Sequence, residues 1–488
     1  MSPRALAVVL AAPLLPLGLF LAAERRLAGA AGLPLDDAWI HAHFARNLAE
    51  GAGFAYNPGV PVAGSTAPLW TLLLAGAFLL AGPSLAAIKA LGVATALGAA
   101  LATHAAARAW GATPASALAA AVALAWTGAL AWGALSGMEV TLAALLVALA
   151  LRAHARGRAG ATARWAALAA LARPEALVPG VLLAAAGPHT WRRAAIFTGT
   201  ALGVLGPWVA FSLATVGAPV PATAAAKVEG GLLGWVTGRA EPWGQALLAR
   251  PAAFAGEWVG WLATTHWALP VALGPALALA WRRGGRTLGL PALALVAHPL
   301  AMAVLAPYRG PGFQEGRYSI HLLPLAFVLL GGALDALPRA WRRPALVGWL
   351  ALALATLPAA AARYGWAVQN INAMQVHLGH WVDRHVPAGA RLALNDVGAI
   401  AWVSRREVID LMGLVTPEVI PYRRAGEAAL ARYLGRACPD YVIVFPTWFP
   451  ELTRRRDLLE PLYRVALPRP TVVGGPEMVV YRFHGCAR

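Results

Sequence analysis

Apolar runs, most of them near twenty residues long and many closed by arginines, recur through the first three quarters of the chain. A helix needs about 20 apolar residues to cross about 30 Å of hydrocarbon. The pattern therefore predicts spans over 5–23, 85–107, 114–133, 140–155, 194–215, 266–281, 287–306, 319–337 and 345–363. A broken pair of short helices is expected over 165–186, either as two crossings or as one re-entrant hairpin. The punctuating residues are Arg108, then Arg152, Arg156, Arg158 and Arg164, then Arg192 and Arg193, then Arg282, Arg283 and Arg286, and finally Arg339, Arg342 and Arg343. Placing them in the cytoplasm gives an inner N-terminus, an outer C-terminus and about eleven crossings. Arg25 and Arg26 fall outside in this scheme and count against it. The run from Ala5 to Ala23 shares features with a secretory signal but is read as an uncleaved first span.

Two segments expected outside are long, 24–84 and 216–265, and long ordered loops are usually functional. Within the first, 68–82 is apolar but short and lies between Pro68 and Pro83, which predicts a helix on the membrane surface. From about Tyr364 the pattern changes to short strand-like runs, RLALND, EVIDLMG, DYVIVFP and MVVYRFH, separated by helical or turn-rich stretches. The expected division is a transmembrane core over 1–363, carrying the two outer loops, and a soluble extracytoplasmic α/β domain over 364–488. The fold class is mainly α, a polytopic membrane protein.

Composition narrows the class further. Of 488 residues 59% are hydrophobic and 13% charged, against about 25% charged in a soluble domain. The 40 basic and 22 acidic residues give a formal +18. In a soluble chain that would suggest nucleic acid. Here the charge lies in loops between apolar runs, so the expected partner is the membrane and not nucleic acid. Cys438 and Cys486 lack metal-ligand spacing and leave a disulfide open.

Candidate chemistry begins in the stretch Leu33 to Trp70, where Asp36 and Asp37 stand side by side, followed by His41 and His43. An acidic residue here could simply cap a helix over 38–50. Further on, Glu139 lies three residues after Ser136, a capping-box spacing before an apolar run. Arg173 and Glu175 interrupt an apolar stretch, where ionisable residues mark a site or pair with one another. Lys227 and Arg317, with Tyr318 beside it, are expected on the outer side, either on a lipid phosphate or on lipid headgroups. Histidines two apart on a helix do not face each other, so joint metal ligation by His41 and His43 is disfavoured.

The acidic pair with Ala38-Trp39-Ile40, Ala45-Arg46-Asn47-Leu48, Gly51, Gly53, Asn57-Pro58-Gly59 and Thr66 to Trp70 resembles the first outer loop of GT-C glycosyltransferases. Within them it is most similar to the group containing the mycobacterial terminal β-(1→2)-arabinofuranosyltransferase. SGMEV (Ser136 to Val140), LARPEA (Leu171 to Ala176), Pro221 to Lys227, GRYSIHLLPL (Gly316 to Leu325), NDVGAIAWVS and VIDLMGLVTPE extend the likeness over most of the chain. The sequence departs from that pattern at His43, Ser65, Ala222, Ala224 and Ala225, positions that bear on the sugar and acceptor.

The resemblance implies a GT-C helical core and inverting hexosyl or pentosyl transfer in the bacterial inner membrane. The donor would be a polyprenyl-phosphate sugar and the acceptor an envelope glycan or glycolipid on the outer face. A carboxylate must take the acceptor proton and cations must hold the leaving phosphate. Asp36 and Asp37 are the expected base and its partner. Arg173, Lys227 and Arg317 are expected at the phosphate, with Glu139, Glu175, His41, His43 and Tyr318 supporting. A divalent metal is a candidate cofactor. The rival class is a transporter or lipid flippase. It would explain intramembrane charges but not a carboxylate pair in the first loop, and no internal repeat accompanies it.

Overall fold

The computed structural model describes residues 1–186, 190–228, 230–236, 241–282, 289–305 and 309–486. Arg283 and Arg286, and the edges of the span expected over 287–306, lie outside them. Among the described residues the structure is mainly helical, with one five-stranded sheet near the C-terminus. Five helices are long and apolar enough to cross a membrane: Pro3–Ala28, Leu85–Ala109, Trp191–Val216, Phe313–Ala336 and Arg339–His385. Counting two bent pairs as single spans gives seven. Apolar helices of 10–17 residues add Pro68–Ala81, Val140–Ala155, Pro174–Ala185 and Gly289–Leu305. The expected eleven crossings are therefore reached only if shorter helices cross as well.

The surface of these helices is that of a lipid-immersed protein. None of the apolar window of Trp191–Val216 is buried, and Trp191 and Trp281 are 83% and 88% exposed. Apolar side chains on that scale need hydrocarbon, and helices meet the bilayer's demand that backbone groups be paired internally. The protein is a multi-pass membrane protein.

Three of the expected elements gain detail in the structure. The span over 114–133 is bent by 59° between Pro114–Ala125 and Gly128–Leu135, where Thr127 caps the second helix by accepting from the Leu130 amide. The segment expected outside, 216–265, is partly helical, since Arg250–Thr265 leads through a 114° bend into Leu269–Arg282. The first-loop helix starts at Asp36 and runs to Ala49, so both acids lie inside its first turn. The break near 173 was legible: helix Ala159–Ala172 ends at Arg173, in extended backbone, because Pro174 follows.

The chain divides into two compact units. The helical unit comprises 1–22, 89–208 and 228–362. The second comprises 23–88, 209–227 and 363–488, so the first loop and the segment up to Lys227 belong with the C-terminal domain. Its strands are β1 (Arg391–Leu394), β2 (Glu407–Asp410), β3 (Tyr441–Val444), β4 (Leu459–Ala466) and β5 (Glu477–Phe483), in the order β2-β1-β3-β5-β4. β1 pairs in parallel with β2 and β3, and β5 is antiparallel to β3 and β4. Apolar clusters cover both faces, one including Leu392, Leu394, Ile443 and Val480, the other Ile409, Val442, Val444 and Val479. Cys438 and Cys486 form a disulfide.

Candidate functional site

The sheet unit gathers the first-loop carboxylates. Asp36 and Asp37 stand in the first turn of Asp36–Ala49, where negative charge suits the helix dipole. The cap position itself is taken by Leu35, which makes no side-chain cap. Asp36 instead caps another helix. Its Oδ2 accepts from the Gly398 amide at 2.7 Å and its Oδ1 from the Ala399 amide at 2.8 Å, at the start of Gly398–Ser404. A Cβ at Gly398 would lie 2.1 Å from the Asp36 carbonyl oxygen, so only glycine permits this approach. Burial pushes the Asp36 carboxyl up to about 6; the Ala399 and Gly398 amides oppose this, while Asp37 and Asp410 add to it.

Asp37 points elsewhere. Its Oδ1 lies 2.9 Å from Lys227 Nζ, and both side chains are partly exposed. Lys227 ends the short helix Ala222–Lys227, held by backbone bonding of Ala222 to Ala63 and by Arg423 and Arg424 donating to the Ala226 and Ala225 carbonyls. A carboxylate and an ammonium are thus set side by side at a partly open position.

Most of the remaining first-loop motif is architecture. Arg46 donates to the Trp402 carbonyl at 2.7 Å and lies 4.4 Å over its ring, at the opposite end of the helix that Asp36 caps. Asn57 donates to and accepts from the Val408 backbone, satisfying one edge of β2. His43 donates from Nε2 to the Tyr56 carbonyl and accepts at Nδ1 from Arg46. Burial, helped by Arg46, pushes it down to about 3. His41 Nδ1 is 3.1 Å from Ser65 Oγ.

Both His43 nitrogens and both Asp36 oxygens are committed, and among the described residues no three or more His, Cys, Asp or Glu are grouped to hold an ion.

Sequence reasoning passed over Asp396. It follows β1, whose C-terminal end is the point where parallel neighbours lie on either side, the usual ligand crevice of such sheets. Gln375 donates to its Oδ2 at 2.8 Å. Burial, then the Asp36 charge, holds its carboxyl well above the usual range. The NDVG motif itself was the signal that could have found it.

The helical unit holds the other candidates. Glu139 precedes Val140–Ala155 but makes no capping bond; Ser136 Oγ accepts from Met138, and the capping box is not formed. Glu139 is buried and paired with Arg173 Nη1. Arg173 Nε lies 3.3 Å from Glu175, and its guanidinium lies 4.8 Å from the Tyr318 ring centre. Arg317 donates to the Tyr318 hydroxyl at 3.0 Å. The three expected phosphate cations therefore fall in both units: Lys227 in one, Arg173 and Arg317 in the other. His298 and His321, fully buried in the same helical unit, were also missed. A histidine inside the apolar run 287–306 is a flag that membrane cost alone raises.

Comparisons with known proteins follow this geometry. A family model described as a domain of unknown function (DUF8728) matches residues 368–481. No curated protein matches by sequence. Among solved structures, ArnT from Cupriavidus metallidurans in the apo state matches with a TM-score of 0.63 at 13% identity, covering 96% of this chain and 97% of that one. The same protein bound to undecaprenyl phosphate matches with a TM-score of 0.63 at 13% identity, covering 98% of each. The archaeal oligosaccharyltransferase AglB from Archaeoglobus fulgidus, in complex with an inhibitory peptide and a dolichol-phosphate, matches with a TM-score of 0.55 at 11% identity, covering 99% and 74%. The chain therefore has the fold of these neighbours, a polytopic helical core with a small C-terminal sheet.

Proposed function

We propose that this protein is a membrane glycosyltransferase that moves a sugar from a polyprenyl-phosphate donor to an envelope glycan or glycolipid acceptor on the outer face, with inversion. The observation that carries the reading is Asp37 beside Lys227 at a partly open position. The lipid phosphates named for ArnT and AglB add support through the shared fold. The likeness to the mycobacterial terminal arabinofuranosyltransferase group rests on the first-loop residues and suggests a pentosyl donor.

Asp37 is the base and Asp36 its positioning partner. Asp37 takes the proton of the acceptor hydroxyl as that oxygen attacks the anomeric carbon. The bond from that carbon to the phosphate oxygen breaks opposite, and polyprenyl phosphate leaves with the electron pair. Lys227 neutralises charge that grows on the leaving group. An anionic donor also competes for the ammonium that Asp37 holds, so its arrival releases the carboxylate to act as a base. Arg173 and Arg317 are further candidates for donor contact.

Asp37→Asn keeps the shape and removes the base. Turnover with purified donor and acceptor should fall by about 10² to 10⁴, with the melting temperature little changed. Near-wild-type turnover would end the assignment of the first loop as the active site. Lys227→Gln should raise the donor KM, lower kcat, or both. Unchanged kinetics for it and for the Arg173→Gln and Arg317→Gln variants would place the phosphate elsewhere.

A further inference from the structure

Two fully buried imidazoles in the helical unit take no part in the transfer step just described. His298 belongs to Gly289–Leu305 and His321 to the turn Ile320–Leu322. Their rings lie 4.9 Å apart at 74°. His298 Nε2 faces the Tyr318 carbonyl at 3.2 Å. Its Nδ1 and both nitrogens of His321 have no hydrogen-bond partner among the described residues. Buried polar atoms left so carry a desolvation cost, and the usual remedies are an ordered water or a ligand.

The surroundings favour one kind of ligand. Arg173 lies over the ring of Tyr318, the residue whose carbonyl His298 faces. Its charge is met by Glu139 and Glu175, and Arg317 reaches the Tyr318 hydroxyl. Arg309 and Arg317 both lie over the Phe313 ring, which stacks on Tyr318, so the imidazoles belong to a cluster that holds three guanidiniums. A cation would be repelled by Arg173, whereas guanidinium and imidazole N–H groups match the oxygens of a phosphate.

We propose that His298 and His321, with Arg173, bind the phosphodiester of the lipid-linked donor, and that the imidazole pair takes up a proton as it binds. The inference rests on the lipid-phosphate reading above. The phosphodiester carries one negative charge and no titratable proton near neutrality. The proton therefore comes from solvent, adds to one imidazole nitrogen, and the resulting imidazolium donates to a phosphate oxygen. A second protonation would set two cations 4.9 Å apart, so the pair takes one. Donor binding consequently tightens as pH falls.

The test uses the full chain in nanodiscs and undecaprenyl methyl phosphodiester as probe, titrated calorimetrically near pH 7 in buffers of different ionisation enthalpy. Wild type should take up about one proton per probe bound, and the affinity should rise by up to about tenfold per pH unit lowered. His321→Asn and His298→Asn should take up none and bind about tenfold more weakly. Binding without proton uptake in the wild type, or uptake and affinity intact in both variants, overturns the proposal and leaves buried water as the occupant. Should either variant fail to fold, the wild-type proton count decides. Equal affinity for dimethyl phosphate, which lacks the chain, overturns the lipid-linked assignment. No binding of the probe at any pH overturns the lipid-phosphate reading itself, and this inference with it.

Discussion

Asp36 and Asp37 are indistinguishable by type and neighbouring in sequence, yet the structure gives them different work. Asp36 spends both oxygens on the Gly398 and Ala399 amides. An asparagine there can accept only one of those bonds and turns its own N–H groups toward the other. Leaving a buried amide unpaired costs about 1–3 kcal/mol. Asp36→Asn should therefore lower the melting temperature by several degrees, while Asp37→Asn, which breaks a partly exposed ion pair worth at most about 1 kcal/mol, should barely move it. Equal melting temperatures would contradict the division of roles. The pH dependence has a defined sign. Because burial raises the Asp36 carboxyl from 3.8 to about 6, the folded state binds its proton more tightly. Its stability contribution is full below about 4 and lost as pH rises through about 6. Asp410 is also raised to about 6 and acts with the same sign. The melting temperature should fall from pH 4 to pH 7, less steeply in Asp36→Asn. The sequence marked the acidic pair but could not divide it, because the partner amides lie 362 and 363 residues away.

Among elements, those specified by local chemistry were legible. The helix break at Arg173 follows from Pro174, and β1, β2, β3 and β5 follow from runs of branched and aromatic residues. β4 was missed because Pro461 interrupts it and its outward residues are exposed, as suits an edge strand with a bulge between Pro461 and Tyr463. Bends that depend on tertiary packing, such as the 59° turn after Ala125, left no mark beyond Thr127. The helix Gly398–Ser404 is the element on which the site depends, with Asp36 at one end and Arg46 at the other. Gly398→Ala would force a methyl group to within 2.1 Å of the Asp36 carbonyl oxygen. The first-loop helix must shift to admit it, so kcat should fall at least about tenfold through misplacement of Asp37. Gly389→Ala, where a Cβ meets nothing within 4 Å, is the control and should be silent. An active Gly398→Ala would mean that the contact does not position the base.

For the whole molecule, composition alone fixed the solvent, since helices this apolar have no stable place in water. It could not show that 23–88 and 209–227 fold with the C-terminal domain, because that assignment is written in contacts such as Asn57 with Val408 and Thr223 with Gly64. Orientation is the property of the whole on which the outer-face reaction depends, and the disulfide supplies a test independent of charge counting. Cys438 and Cys486 are the chain's two cysteines and are bonded to one another. Thiols in the cytoplasm are kept reduced, whereas those outside oxidise and stay so. If the sheet unit faces outward, protein trapped in acid from growing cells and denatured should gain no maleimide-polyethylene-glycol mass, and two additions after reduction. The double change to serine should also lower the melting temperature, since closing a loop with a sequence separation of 48 is worth about 4 kcal/mol in the chain-entropy account. Two additions without reductant, with no loss of stability on removing the cysteines, would put the domain in the cytoplasm. The acceptor, the donor's sugar and the base would then all have to be sought on the inner face, and the arginine clusters between spans would need another explanation than the positive-inside bias.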